Sequence, residues 1–487
     1  MMLAVIYGIL LSVGHPESKG VVLPFADTVK ASTRNKVSQT DTATRFLEVN
    51  RILITGNKLT RNSIILRELS FKKGDVISEA VLPKVIEKDQ RKLFNLHLFN
   101  TVTITPLDLK NGQIDFLVEV DERWYTFPVP IFQLSDRNFN EWWENYDHDL
   151  SRVNYGLKLY QYNMWGRNQT LTLTAQFGFQ RRFQMMYKIP YIDNNQKAGL
   201  IFEMDFIDAK NVADSTMEHK LRYVKYDHVL RNTKGIGLSY TYRNNFYIFH
   251  KLKYEYRVTA ISDTLQMLNP NYLGSEKDNQ QFDAITYEFT SDHRDVQAYP
   301  LKGYMVFLHL EQYGVAVNQD FQKTEGYLSL SGHLDLKKHF YLSNQAYVYL
   351  STPDEIPYFN YGGLGYNRTF VRGYEIYVIE GPRFYLNKTT LKKRIFYHLW
   401  ETENSIIPQF NHFPLAIYLK AYADFGYVEN YPVYRRSEVN TLFSDKLIGG
   451  AGIGLDFVSA YDAVLRVEYT YTPENKGGFF FHLKKEF

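Results

Sequence analysis

From residue 124 to the end of the chain, hydrophobic and polar residues alternate with a period of two. The stretch 168–179 shows this most clearly. Its apolar face carries Leu171, Leu173, Ala175 and Phe177, and its polar face carries Thr170, Thr172, Thr174 and Gln176. Successive side chains of a β-strand point to opposite sides, so the pattern predicts strands with one apolar face. We count about sixteen such strands. We interpret a surplus candidate, residues 218–227, as a hairpin extension outside the wall.

Two classes of protein contain such strands, soluble β-sandwiches and membrane β-barrels. Many of the segments run for about ten residues or more, the length that a tilted strand needs to cross hydrocarbon. Tight turns at 193–195 and 459–461 contrast with long polar loops at 262–280 and 429–445. Outer-membrane barrels have this asymmetry. We therefore predict an antiparallel outer-membrane β-barrel over residues 124–487, with a soluble β protein as the alternative.

The faces opposite the apolar ones carry charged residues. They include Glu311, Asp335, Lys420, Asp424, Asp456, Arg466 and Glu468. A charge facing lipid costs several kcal/mol, so these side chains are expected to face a lumen that is wet or to be paired there. The final strand has an aromatic end, with one face made of Phe479, Phe481, Leu483 and Phe487. This ending resembles the terminal targeting strand of outer-membrane proteins.

Before the predicted barrel, the N-terminal residues fall into three segments. Residues 1–20 begin with an apolar run that ends at Gly14-His15-Pro16, which predicts a signal peptide. No basic residue precedes the run, and a buried N-terminal strand is the alternative. Residues 21–44 are polar and are interpreted as a linker. Residues 45–123 are predicted to form a small α+β domain.

The small domain is predicted to follow the order strand, helix, helix, strand, strand. Thr60 is expected to cap a short helix that reaches Leu69, and Ser78 to begin a second helix. This order, together with the stretches 52–58 and 89–102, resembles a POTRA domain, the periplasmic module of outer-membrane assembly factors. Such domains bind extended partners by adding a strand to a sheet edge. A generic α+β packing domain is the alternative.

Composition narrows the functions that the chain can have. The 487 residues include no cysteine, which excludes disulfides, thiol catalysis and thiolate metal sites. A formal net charge of +3 indicates no nucleic-acid partner. The chain lacks the Gly-x-Ser-x-Gly, His-Glu-x-x-His and phosphate-loop motifs. We expect no enzyme, no cofactor and no metal. A barrel lipase with Ser, His and Asn from distant strands is the enzymatic alternative.

Four motifs follow one another along the predicted barrel. They are Asp292, Arg294 and Asp295 followed by Pro300 and Gly303; Val371, Arg372, Gly373 and Tyr374 after two glycines; Asp424 and Gly426; and a glycine-rich strand at 449–454. Together with the POTRA-like segment, this ordered set resembles the BamA/TamA outer-membrane assembly factors, whose barrels are also called bacterial surface antigens.

The resemblance implies that loop 352–380 folds back into the lumen. Val371 to Tyr374 would form a structural latch, with Arg372 paired to Asp424. Alternation independently allows that contact, because Leu419, Ala421 and Ala423 share the apolar face and leave Asp424 on the lumenal one. The family usually has an acidic residue where this chain has Thr390, which puts a second carboxylate partner for Arg372 in doubt.

The resemblance also implies a function and a location. The chain would insert or translocate proteins at the bacterial outer membrane, guiding client strands to a weak seam between its first and last barrel strands. Its partners would be outer-membrane lipid, unfolded outer-membrane or secreted clients, and a periplasmic protein or lipoprotein at the POTRA-like domain, which would lie in the periplasm. The alternatives are a dedicated secretion pore or channel of the same superfamily, and a scaffold that docks a periplasmic partner.

Overall fold

The computed structural model describes residues 45–485 apart from 95, 109–111, 136–141, 144–145, 194, 246, 317–318, 367–368, 402–411, 460–462 and 475–476. The predicted signal peptide, the predicted linker and Phe487 lie outside the described residues.

The N-terminal domain packs two helices on a four-stranded sheet. It consists of β1 (Phe46–Thr55), α1 (Asn62–Leu66), β2 (Val76–Ser78), α2 (Leu82–Phe94), β3 (Phe99–Asp108) and β4 (Gln113–Glu122). The sheet order is β2-β1-β4-β3, with β1 and β4 parallel and the other pairs antiparallel. Val49, Ile65, Leu93 and Phe116 are completely or almost completely buried between sheet and helices and form its core.

Two details of this domain correct the sequence prediction. Ser78 does not begin a helix, because it ends the short edge strand β2, and α2 starts only at Leu82. Thr60 does not cap α1, whose N-cap is Arg61 without a side-chain hydrogen bond. The Thr60 hydroxyl instead lies 3.2 Å from the hydroxyl of Tyr125. In both cases, a contact with another part of the domain determines the role of the side chain, and the local sequence preference for a helix start does not.

The rest of the chain is dominated by strands. In chain order it forms β5 (Thr126–Leu134), β6 (Val153–Met164), β7 (Gln169–Gly178), β8 (Gln180–Ile189), β9 (Ala198–Ala209), β10 (Asn211–Met217), β11 (Lys220–Lys225), β12 (Arg231–Arg243), β13 (Ile248–Ile261), α3 (Asp263–Leu268), β14 (Asn279–Asp292), β15 (Gly303–Tyr313), β16 (Lys323–Lys337), β17 (Phe340–Thr352), β18 (Gly363–Leu364), β19 (Ile379–Glu380), β20 (Arg383–Glu401), β21 (His412–Glu429), α4 (Pro432–Ser437), β22 (Leu447–Ser459), β23 (Ala463–Tyr471) and β24 (Gly478–Lys485). None of the described helices is both long and hydrophobic enough to traverse a bilayer.

Sixteen of these strands form one antiparallel sheet, which confirms the predicted barrel size. The order runs from β5 to β24 and omits only β10, β11, β18 and β19. Strands β10 and β11 pair with each other alone, so the candidate at 218–227 belongs to a hairpin extension, as predicted. Among the described residues, β5 and β24 are not paired with each other. We call the gap between these two end strands the seam.

The alternation along β21 separates a lipid-facing side from a lumenal side. Leu419, Ala421 and Ala423 are exposed, whereas Lys420 and Asp424 are buried. The other predicted lumenal charges also have partners of opposite charge. Asp335 lies 3.0 Å from Lys302, Glu311 lies 3.0 Å from His309, and Arg466 lies 3.7 Å from Asp456. Pairing lowers the cost of holding these charges inside the wall.

The POTRA-like domain rests on the turns at one end of the barrel. The Arg61 amide donates to the Gly166 carbonyl at 3.0 Å in the turn between β6 and β7. A Cβ on Gly166 would lie 2.1 Å from the Leu59 carbonyl oxygen, so only glycine permits this approach. The side-chain Nε2 of Gln196, in the turn between β8 and β9, donates to the Arg67 carbonyl at 2.9 Å. We call the opposite end of the barrel the distal end; it carries the β10–β11 hairpin and the long loops.

Candidate functional site

The candidate site is the loop between β17 and β20, residues 353–382, which we call the inward loop. Its base is a small ladder in which β18 pairs with β19, and the Gly381 amide donates to the Gly362 carbonyl at 2.9 Å. Beyond the ladder, Val371, Arg372 and Tyr374 are all buried. The loop starts from the distal end of the wall and packs against the lumenal side of β20 to β24.

Arg372 is surrounded by groups from the wall, with only 7% of its surface exposed. Its Nε donates to Asp424 Oδ2 at 2.7 Å and its Nη2 to Asp424 Oδ1 at 2.5 Å. Its Nη2 also donates to the Thr390 hydroxyl at 3.0 Å, and its Nη1 to Glu468 Oε1 at 3.5 Å. The guanidinium lies 3.7 Å from the ring centroid of Tyr422, a cation–π contact. A bidentate, stacked guanidinium of this kind suits arginine and not lysine.

The second carboxylate beside Arg372 comes from a strand that the sequence analysis did not connect with it. Thr390 occupies the position where the family pattern has an acid and acts as a hydrogen-bond acceptor. Glu468, on β23, supplies the second negative charge. It also lies 2.8 Å from Lys420, which in turn binds Asp456 on β22. The result is a buried charge network that spans β21, β22 and β23.

Glycines in loop and wall allow the loop backbone to touch the strands directly. A Cβ on Gly450 would lie 2.0 Å from the Arg372 carbonyl oxygen, and one on Gly426 would lie 2.8 Å from Val371 Cγ2. Gly373 has φ +96°, and its Cβ would lie 2.3 Å from Thr472 Cγ2. Any side chain at these positions would push the loop off the wall. The glycine-rich stretch at 449–454 therefore serves close packing.

Two further contacts tie the loop to neighbouring parts of the barrel. The Tyr374 hydroxyl donates to the carboxylate of Glu474, in the connection between β23 and β24. Glu375 is buried, accepts the Gly373 amide at 2.7 Å and lies 3.6 Å from His482 Nε2. His482 is on β24 and also lies 3.4 Å from Glu468. The inward loop thus reaches the last strand of the sheet, next to the seam.

Family comparison agrees with this geometry. A POTRA family described as "Surface antigen variable number repeat" matches residues 47–123, and the family described as "Omp85 superfamily domain" matches residues 163–487, more than half of the chain. The chain belongs to the Omp85 superfamily. The resemblance predicted from the sequence is confirmed at this level, and the fold and the superfamily assign the barrel to the outer membrane.

Solved structures show the same fold at low sequence identity. BamA from Haemophilus ducreyi lacking POTRA domains 1–3 is 14% identical, covers 90% of this chain and 83% of its own, and superposes with a TM-score of 0.61. CdiB from Escherichia coli is 12% identical, covers 90% of this chain and 76% of its own, and has a TM-score of 0.52. Among curated protein sequences, none matches this chain.

In this Omp85 barrel, the Asp292 motif lies at the end that faces the POTRA domain. Arg294 and Asp292 form a bidentate pair with distances of 2.8 and 2.9 Å. Asp295 Oδ1 accepts the Leu301 amide at 3.0 Å. Gly303 has φ +96° and follows this turn, where a Cβ would lie 2.1 Å from a carbonyl oxygen. These residues shape a turn, and they are not in contact with Arg372 in the described structure.

The hairpin extension covers the inward loop at the distal end of the Omp85 barrel. The His219 carbonyl, at the hairpin tip, accepts the Val378 amide of the inward loop at 2.7 Å. Its Nε2 accepts the Phe443 amide at 3.0 Å, and its own amide donates to Asn440 Oδ1 at 2.8 Å. Burial lowers the pKa of His219 to about 4, since a charged imidazole would lose its hydration there. The hairpin, the inward loop and the distal loop 430–446 meet at this neutral histidine.

Two further features of the Omp85 barrel are its terminal strand and a cluster of three side chains of the types that bind metal ions. Phe479 and Phe481 are exposed on the lipid-facing side; Leu483 lies in β24, and Phe487 is outside the described residues. The ligand atoms of His309, Glu311 and Glu325 lie within 4.8 Å of one another. Lys323 lies 2.7 Å from Glu325, so one of the two carboxylates of this group is already paired with a cation. The targeting role of the strand stays a prediction.

Proposed function

We propose that this chain inserts or translocates proteins at the outer membrane, and that client strands engage at the seam between β5 and β24. The observation that carries the proposal is that the two end strands of the sheet are not paired with each other among the described residues. A free strand edge exposes backbone donors and acceptors, which hydrocarbon cannot satisfy. An extended client segment supplies the missing partners.

The inward loop acts in this proposal as a structural latch beside the seam. Arg372 holds the loop to Asp424 on β21, and Glu375 brings it to His482 on β24. Removing one partner of such a buried pair strands the other charge. The latch would therefore keep β21 to β24 in register while the edge of β24 remains free for pairing.

The POTRA domain would deliver clients from the periplasm. Its sheet has free edges at β2 and β3, and an extended segment binds such an edge through backbone hydrogen bonds alone. The domain docks on short turns beside the start of β5, which brings those edges to the barrel end from which clients would arrive. A periplasmic protein or lipoprotein partner would use the same edges.

Depletion of the protein in its own bacterium tests the proposal. Outer-membrane protein levels should fall broadly, and wild-type protein should restore them while Arg372→Ala restores them less. Normal levels of every outer-membrane protein after depletion would refute the insertion role. Loss of one exported protein with the rest unchanged would instead support the dedicated secretion pore.

Conductance in planar bilayers separates the channel alternative from the proposed function. The inward loop is buried against the wall and covered by the hairpin extension. Intact protein is therefore expected to show no steady conductance, and deletion of residues 353–382 should create one. Steady conductance of the intact barrel would favour a channel.

A further inference from the structure

Strand β12 carries a lysine on the lipid-facing side of the barrel wall. Along this strand Lys234, Ile236 and Leu238 are exposed. Thr233 and Ser239, on the other face, are buried on the lumenal side. Successive side chains of a strand point to opposite faces, so Lys234 shares its face with two apolar residues that contact hydrocarbon. A charged side chain on that face is costly unless it reaches a group of opposite charge or the headgroup region.

Lys234 pairs with no carboxylate in the part of the chain that the structure describes. Its ammonium nitrogen lies 5.9 Å from the ring centroid of Phe206, the residue directly opposite on β9, and this aromatic ring is its only charge-accepting neighbour there. Strand β12 starts with Arg231 at the distal end, close to Lys234. The flexible stem of the lysine can therefore carry the ammonium group to the headgroups of the leaflet at that end. An anionic lipid group is the counter-charge that this position offers.

Lys234 also borders a groove in the lipid-facing wall. The groove has a volume of about 960 Å³ and is formed by strands β6 to β9, β12 and β13. Its lining is mainly apolar and includes Leu157, Leu173, Ala175, Phe183, Met204 and Ile236. Asp205 also touches the groove, but it lies between Met204 and Phe206 on β9, so alternation directs its carboxylate to the lumen. Of the residues that line the groove, Lys234 alone therefore presents a charge to lipid.

A second polar group lies next to Lys234 on the distal side of the groove. Arg181, Asp208 and Asn232 are opposite one another on β8, β9 and β12. Arg181 and Asn232 both donate to the buried carboxylate of Asp208, the asparagine at 2.5 Å. The side chain of Arg181 is 51% exposed, so the N–H groups that Asp208 does not use can reach a further acceptor. Arg181 and Asp208 neutralise each other, and the excess positive charge at this rim is that of Lys234.

We propose that the groove binds one lipid whose headgroup carries a phosphate, with an acyl chain in the groove and the phosphate at Lys234. A phosphate oxygen accepts a charge-assisted hydrogen bond from the ammonium group, and the exposed N–H groups of Arg181 supply further donors. The apolar lining selects a ligand with a hydrocarbon part, because free phosphate would leave the groove empty. The site lies on the outer wall and needs no client, so it goes beyond the proposed function and does not depend on it.

Native mass spectrometry of the purified full chain in detergent tests this inference, because it counts bound lipids and gives their affinities. The probes are dimyristoyl phosphatidic acid, the diacylglycerol with the same acyl chains, and inorganic phosphate. Phosphatidic acid should bind as a single molecule and about fivefold or more tightly than the diacylglycerol, and phosphate alone should not bind. Lys234→Gln should weaken phosphatidic acid by about fivefold, the effect of one lysine near a headgroup, and leave the diacylglycerol unchanged.

Lys393→Gln is the matched control for the charge. Lys393 is also exposed on the lipid-facing side, 4.8 Å from the ring centroid of Phe340, but it does not line the groove. Its variant should bind phosphatidic acid as the wild type does. Ala175→Trp fills the groove and should weaken both lipids, whereas Ala421→Trp, on the lipid-facing side of β21, should weaken neither.

Three results would overturn the inference. They are equal affinities for the two lipids, binding of phosphate alone as tight as that of phosphatidic acid, and equal losses in Lys234→Gln and Lys393→Gln. Heat-shifted mobility on gels shows for each variant that the barrel is folded, so a loss of binding is read only from folded protein. Because no client enters the assay, a lipid bound at Lys234 together with normal outer-membrane protein levels after depletion would refute only the proposed function.

Discussion

The two strands that border the seam are held by different parts of the molecule. Strand β5 follows the POTRA domain directly, and the hydroxyl of Tyr125, one residue before the strand, donates to the Leu98 carbonyl at 2.9 Å and contacts Thr60. Strand β24 is held from the opposite end of the barrel, where His482 lies within 3.6 Å of Glu375 and Glu468. One edge of the seam depends on the POTRA domain and the other on the inward loop.

The two attachments also differ in their chemistry. The two contacts of the Tyr125 hydroxyl beside β5 are neutral hydrogen bonds, each of which contributes about 0.5–1.5 kcal/mol. On the other side, the inward loop is held by buried charged groups. Loss of one such group leaves its partner unpaired and costs about 3–5 kcal/mol. Substitutions on the loop side should therefore lower the free energy of unfolding strongly, and substitutions on the POTRA side should lower it only slightly.

The largest effect is expected at the latch. Arg372→Ala and Asp424→Ala should each lower the free energy of unfolding by about 3–5 kcal/mol, because each leaves the other charge buried. Since both changes remove the same contact, the double variant should lose less than the sum. The readout is the temperature at which the folded barrel unfolds in detergent, followed by its shifted mobility on gels.

The exposed pair of Arg435 and Asp445 provides the control for the latch. Its atoms are also 2.5 Å apart, but both side chains are more than one-third exposed on the distal loop. Arg435→Ala should cost less than about 1 kcal/mol, as surface ion pairs do. Additive losses at Arg372 and Asp424, or an equal loss at Arg435, would contradict the role given to burial.

Acid should weaken the loop side and leave the contacts of Tyr125 unaffected. The folded pKa of His219 is about 4, below its ordinary value of 6.5. Its contribution is therefore fully present above pH 6.5 and lost as the pH falls toward 4, up to about 3 kcal/mol. Hydrogen exchange of residues 430–446 should rise over this range, while exchange near Tyr125 should not.

His219→Gln should remove most of that pH dependence, because the glutamine side chain does not titrate. His228→Gln is the matched control, since His228 is exposed near the same hairpin extension. If both variants keep the wild-type pH profile, His219 is not the group responsible.

His482 provides a direct test of the link between the inward loop and β24. His482→Leu places an apolar side chain beside the carboxylates of Glu375 and Glu468 and should cost about 1–2 kcal/mol, less than the loss of a latch partner. Amide exchange should accelerate in β24 and stay unchanged in β5, which serves as the internal reference. Equal acceleration in both strands would show that the two edges are not held separately.

The sequence predicts the barrel well because lipid restricts one face of every strand. Along β21 the alternation alone places Asp424 in the lumen, and the structure has Arg372 bound to it. Alternation also assigns Glu468 to the lumenal side of its strand. Its contact with Arg372, however, joins two residues that are 96 positions apart on separate elements. Periodicity assigns a side chain to a face, but it does not tell which faces a long loop will reach.

The POTRA-like domain was harder to predict in detail because its elements are short. A three-residue edge strand such as β2 carries no recognisable period, and Ser78 before an amphipathic segment resembles a helix start. Threonine is a residue type that commonly caps helices. The Thr60 hydroxyl, however, contacts Tyr125 and Asn163 across the domain boundary.

The smallest effect is expected on the POTRA side. Tyr125→Phe removes the hydroxyl bound to Leu98 and should cost only about 0.5–1.5 kcal/mol. The chain has no cysteine, so spin labels at Lys58→Cys and Arg167→Cys report the distance between the domain and the turn that joins β6 to β7. That distance distribution should broaden in Tyr125→Phe, with no change in the exchange of β24. An unchanged, narrow distribution would mean that backbone contacts such as Arg61 to Gly166 suffice to dock the domain, and that the edge of β5 is held as firmly as that of β24.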